Sequence, residues 1–148
     1  MRLSALLILP LLLLLNTSLL GQDLNLAKGG VAIQGYDPVS YFENGPERGS
    51  PTISAKFNGA IYYFTSDLHK KEFEANPEKY VPSYGGYCAY AIAIDGSKVK
   101  IDPETYKIQD GELLLFYNFR RNNTLKPWEE KPEELKTEAD KNWQKNAK

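Results

Sequence analysis

Two side chains carry most of the chemistry this chain has to offer. Cys88, in the run Gly85-Gly86-Tyr87-Cys88-Ala89-Tyr90, is its one cysteine, and His69, at the start of a predicted helix, is its one histidine. A thiolate beside an imidazole suits Cu(I) or Zn(II) by ligand softness. Two ligands do not close a structural zinc site, which is nearly always four-coordinate, so zinc would need carboxylates, waters or a second chain. Cu(I) accepts lower coordination and is the preferred ion, with Zn(II) behind it. The same pair could serve instead as nucleophile and general base, given a third group to orient the imidazole. Both readings require the two side chains to meet in space. Apart, Cys88 is a small buried hydrophobe and His69 a first-turn helix residue bonded to solvent or backbone, and the chain is a binding or structural module.

The elements that must position them begin after an apolar leader. Met1 to Gly21 has a basic start at Arg2, a leucine-rich centre and a small residue at its end, which predicts a secretory signal over residues 1–21. Asn16, Thr17 and Ser18 interrupt the apolar run that a membrane span of ~20 residues would need. Gln22 stands where a lipoprotein would carry its cysteine, so no lipid anchor is expected. The expected destination is the periplasm or the extracellular space, without stable membrane insertion once the signal is removed. Residues 22–148 suit a single domain with one core. The whole chain carries 18 basic and 19 acidic residues without a basic block, which gives no electrostatic reason to expect nucleic acid as a partner. One cysteine cannot close an internal disulfide, so packing alone must hold the fold.

Within that domain, Ile53 to Phe64 reads as a hairpin about the two-residue turn Asn58-Gly59. Ser66 caps a predicted helix from Asp67 to about Ala75, with Leu68 and Phe73 available to face inward and Asn76-Pro77 as its stop. Further strands are predicted at Lys98–Ile101 and Leu113–Tyr117, with a turn at Asp102-Pro103-Glu104 between them. Tyr87 to Ile92 is apolar enough to be largely buried. Pro132 to about Lys145 is a charged helix with Leu135, Ala139 and Trp143 in one narrow stripe. The fold class is α+β: a small antiparallel sheet with a short helix after the central hairpin and a C-terminal helix.

Several of these segments carry a resemblance. Gly35-Tyr36-Asp37-Pro38-Val39-Ser40-Tyr41-Phe42, then Phe57 to Ser66, then His69, Phe73 and Asn76-Pro77-Glu78-Lys79-Tyr80, then Tyr84 to Ala91 resemble the YHS domain in its exported, single-domain bacterial form. The stretch runs from about Val31 to Ala91, and Ala139-Asp140-Lys141-Asn142-Trp143 is similar to the end of that form. The resemblance implies a small α+β domain and, in some relatives, metal handling. Relatives attached to copper-transporting pumps carry cysteines in Asp-Pro-Val-Cys and Phe-Cys-Ser-x-x-Cys motifs, and the matching positions here are Ser40, Thr65 and His69. The pump-type site is therefore absent in its usual form, and Cys88 lies outside those motifs. Asp37, beside Pro38 and Ser40 in the family-like motif, is the expected oxygen partner of His69 and Cys88, or simply a turn residue.

The expected function is thus non-catalytic metal handling, with copper the expected cofactor and His69, Cys88 and Asp37 the expected ligands. A second reading is a small-ligand or protein-binding module. Eight of the ten tyrosines fall between Tyr36 and Tyr90, and a cluster of such rings could line a pocket or simply pack sheet against helix. A thiol-dependent enzyme or redox sensor using Cys88 is the lesser alternative, since no local nucleophile signature surrounds it.

Overall fold

The computed structural model describes residues 23–146. The predicted signal therefore lies outside the described residues. The architecture is α+β. Strands β1 (Leu26–Ala27), β2 (Val31–Ala32), β3 (Ser50–Phe57) and β4 (Ala60–Phe64) form one sheet in the order β1-β2-β4-β3. The β1–β2 and β3–β4 pairs are antiparallel, whereas β2 runs parallel to β4 at Val31 and Ile61.

The β3–β4 hairpin turns where the sequence predicts. Asn58 and Gly59 take φ of 45° and 85°, the left-handed pair that a two-residue turn needs to match strand twist. Along β4, Ala60, Tyr62 and Phe64 are buried and alternate with half-buried residues, the period-two pattern of a strand with one face on a core. Helix α1 (Asp67–Ala75) follows, capped by Ser66 Oγ, which accepts from the His69 amide at 3.1 Å. Phe73 is buried against Phe57, Tyr62 and Phe64, but Leu68 is 64 % exposed. Five residues at 3.6 per turn set the two about 140° apart, so one helix cannot turn both inward. A single turn, α2 (Pro77–Tyr80), continues past Asn76.

The second half is built on the hairpin of β5 (Asp102–Gln109) and β6 (Glu112–Phe116), turned at Asp110-Gly111. Here the expected strand at Lys98–Ile101 gives way, and pairing starts at Asp102 instead. The Asp102 carboxylate accepts from the Glu104 amide at 3.1 Å and the Thr105 hydroxyl at 2.8 Å, so the predicted turn exists. It is absorbed into the strand as a register shift between Asp102 and Tyr106, an irregularity that accommodates Pro103.

The apolar run after Cys88 is helical, α3 (Ala89–Asp95), and ends on Gly96 at φ 77°. A two-residue pair, β7 (Asn118–Phe119) with β8 (Asn122–Asn123), leads into α4 (Leu125–Glu130) and α5 (Pro132–Asn146). Leu135, Ala139 and Trp143 form the predicted stripe and pack with Tyr84, Ala89, Ile92 and Trp128 in a second apolar cluster. Asn142 Nδ2 donates to the carbonyls of Ile92 and Ala93 at 3.0 and 3.1 Å, closing the end of α3.

At the other end of the chain, Asp23 to Asn25 form a strap across the turn Tyr84–Gly86. The Asn25 amide donates to Gly85 O at 2.9 Å and its Nδ2 to Gly86 O at 3.0 Å, while Asp23 holds Tyr87 and Lys98. A Cβ on Gly85 would lie 2.4 Å from the Asp23 carbonyl oxygen, so only glycine lets the strap close. Among the described residues no helix is long and apolar enough to cross a membrane.

Candidate functional site

The loop from Gly35 to Ser40 carries Asp37 into the protein, where it is fully buried. Its backbone is pinned by a bond from the Asp37 amide to Glu47 O at 2.8 Å. Ser40 Oγ donates to Asp37 O at 2.7 Å and receives the Glu47 amide at 3.1 Å. The carboxylate closes a small turn by accepting the Val39 amide on Oδ1 at 2.9 Å. Its other oxygen, Oδ2, accepts the Thr65 amide at 2.8 Å, the Thr65 hydroxyl at 2.9 Å and His69 Nδ1 at 2.6 Å. A buried carboxylate is costly unless its lone pairs are filled, and four donors fill these.

His69 reaches Asp37 because the Ser66 cap starts α1 one turn earlier and directs the ring back over Thr65. Nδ1 must carry the proton it donates to Asp37, which leaves Nε2 as the outward end of the ring, where a carboxylate partner accepts from the charged imidazolium. Nε2 lies 3.1 Å from Glu43 Oε2, which follows the short 3-10 turn Ser40–Phe42 and is itself 43 % exposed. Burial pulls the imidazole pKa down, but hydrogen bonding and charge from Asp37 and then Glu43 outweigh it, and the net shift is upward.

Cys88 has different company. It occupies the position just before α3, is completely buried, and is fastened by its amide to Val99 O at 2.9 Å. Its sulfur accepts the Tyr117 amide at 3.4 Å and touches Thr124 Oγ1 at 3.3 Å. An isolated bridge joins the residue to Leu115 of β6. The fold therefore unites Asp37 and His69 and surrounds Cys88 with a set of partners that includes neither. Among the described residues no group of three or more His, Cys, Asp or Glu side chains is arranged to hold a metal ion. The three positions singled out by the motif comparison all reach Asp37: Ser40 bonds to its backbone carbonyl, while Thr65 and His69 share its carboxylate.

Three of the tyrosines tie segments together through their hydroxyls. The hydroxyls of Tyr36 and Tyr41 fasten their stretch to the start of β5, at Glu104 and at Pro103 O (2.6 Å), while that of Tyr84 donates to Asp140 of α5 at 2.8 Å. Glu43 is the site residue that sequence reasoning missed. It lies in the turn-rich stretch Glu43-Asn44-Gly45-Pro46, where a charged residue signals nothing beyond solvent exposure. Comparison with family models, curated proteins and solved structures yields no match for this chain.

Proposed function

We propose that the chain is an exported, non-catalytic metal-handling module of the YHS type, in which His69 Nε2 and the Glu43 carboxylate take the ion and Asp37 holds the imidazole. The single observation that supports this is the buried Asp37 carboxylate on Nδ1, which sets the ring's tautomer and aim as the outer-shell partner of a metal-bound histidine does. The Nε2 to Oε2 separation of 3.1 Å also suits two ligands on one ion, since bonds of ~2.1 Å at a right angle leave their ends about 3 Å apart. An imidazole nitrogen with a carboxylate oxygen favours Cu(II) or Zn(II), with water or another molecule filling the remaining positions. Cu(I) would call on the thiol of Cys88, whose partners are Tyr117 and Thr124. The non-catalytic reading is supported by the neighbours of the ring: the Thr65 hydroxyl is committed to Asp37, and Nε2 is engaged by Glu43.

Calorimetric titration of the chelator-treated protein with Cu(II) and Zn(II) tests this reading. His69→Ala should abolish saturable binding and Glu43→Gln should weaken it several-fold. Asp37→Asn should cost ~10–100-fold in affinity, the usual effect of an outer-shell change. Cys88→Ala should leave binding unchanged. Equal affinity in wild type and His69→Ala would overturn the proposal.

A further inference from the structure

A second feature lies away from His69, between β1, the hairpin turn at Asn58, α2 and the loop ending at Gly86. There the protein encloses a cavity of about 210 Å³. Its walls are mixed: Leu24, Leu26, Ile33, Phe57 and Val81 stand beside the polar Asn25 and Asn58. The base is formed by Tyr62, which is 5 % exposed, and among the described residues no hydrogen bond reaches its hydroxyl. Among the described residues no buried side-chain nitrogen or oxygen lacks a partner, so the unbonded Tyr62 hydroxyl is open to an occupant, whereas Tyr41 donates to Pro103 O and Tyr84 to Asp140. Burial raises the Tyr62 pKa to about 12, so at neutral pH the hydroxyl is a neutral group able to donate and accept.

The mouth of the cavity has one sign of charge. Glu78 is the acidic residue lining it, no Lys, Arg or His does so, and among the described residues Glu78 forms no ion pair. A carboxylate at the entrance of a cleft lined by the rings of Phe57 and Tyr62 attracts cations and repels anions. The volume equals about seven waters, below the ~300–1,000 Å³ of drug-sized sites, which limits the occupant to roughly seven to ten non-hydrogen atoms.

We propose that this cavity binds a small organic amine, its ammonium at the Glu78 mouth and its apolar body between Leu26, Ile33 and Phe57, with the Tyr62 hydroxyl reading a polar atom at the inner end. The proposal is independent of the His69 site, whose residues do not line the cavity.

Amide-resolved NMR titration with benzylamine, tyramine, benzyl alcohol and benzoate tests it. Saturable shifts centred on Phe57, Tyr62 and Gly86 should appear with the two amines, stronger for tyramine, whose phenol can meet Tyr62. Tyr62→Phe should weaken tyramine ~2–10-fold, the effect of one hydrogen bond, while leaving benzylamine nearly unchanged. Glu78→Gln should reduce benzylamine toward the level of benzyl alcohol. Tyr62→Phe removes a hydroxyl without a protein partner, so the variant keeps its fold, and His69→Ala should bind both amines as wild type does. Benzoate binding as tightly as benzylamine, tyramine unaffected by Tyr62→Phe, or no saturable shift with either amine at millimolar concentration would each overturn the proposal.

Discussion

His69 and Cys88 are both single in the chain and both partly or wholly covered, yet their surroundings assign them opposite parts. The imidazole is tied at one nitrogen by a buried carboxylate and turned at the other toward Glu43 and solvent, with 14 % of its side chain exposed. The thiol is sealed against Tyr117 and Thr124 with no exposure. The difference teaches that rarity of a reactive residue says little about its use. What matters is which atom the fold turns outward, and here that is Nε2, beside the exposed Glu43, and not Sγ.

The comparison can be broken first at Asp37. Replacing it with alanine strips four donors of their buried acceptor, and should destabilise the protein by about 3–5 kcal/mol as read by urea denaturation. A change below 1 kcal/mol would mean that the carboxylate is incidental to the fold.

Cys88→Ala should cost less, about 1–2 kcal/mol, because it leaves only a small void. In wild type the thiol should react with an aromatic disulfide reagent only as fast as the protein opens. Immediate labelling of the native protein would abolish the contrast between the two regions and reopen a redox role.

The smallest effect expected is that of pH on the metal-free protein. A histidine whose pKa rises on folding binds its proton more tightly in the folded chain. Its stabilisation is therefore complete below the ordinary value of 6.5 and is lost as pH rises through the folded value. Midpoints of urea unfolding should fall over that window and flatten in His69→Gln. A rise with pH that disappears in the variant would reverse the assignment of Asp37 and Glu43 as net stabilisers of the charged ring.

Much of the first half was legible because its signals are local. Asn58-Gly59 demands a left-handed turn, and Ser66 supplies the cap that starts α1, whatever the rest of the chain does. The second half was harder for reasons of packing. Asp102-Pro103-Glu104 has the composition of a turn and makes one, yet pairing of Asp102 with Phe116 draws it into β5. The run after Tyr87 reads as buried, and its alanines together with its contacts to α5 favour a helix over a strand. At the site, Asp37 and His69 could be named from type and motif position. Their separation from Cys88 and the arrival of Glu43 depend on how the loop after Ser40 turns, which no single residue dictates.

The strap at Asp23–Asn25 bears on the order in which the protein assembles. Its partners lie 61, 64 and 75 positions further along the chain, at Gly86, Tyr87 and Lys98. The β3–β4 hairpin and α1 need only near neighbours and can close early, whereas contacts across such separations carry a large loop-closure cost. The first described residues to leave the ribosome thus carry the costliest contacts to close, while β1 next to them needs only β2, one turn away. Glycine at position 85 keeps that late berth open, so the step that completes the fold depends on a residue with no side chain at all.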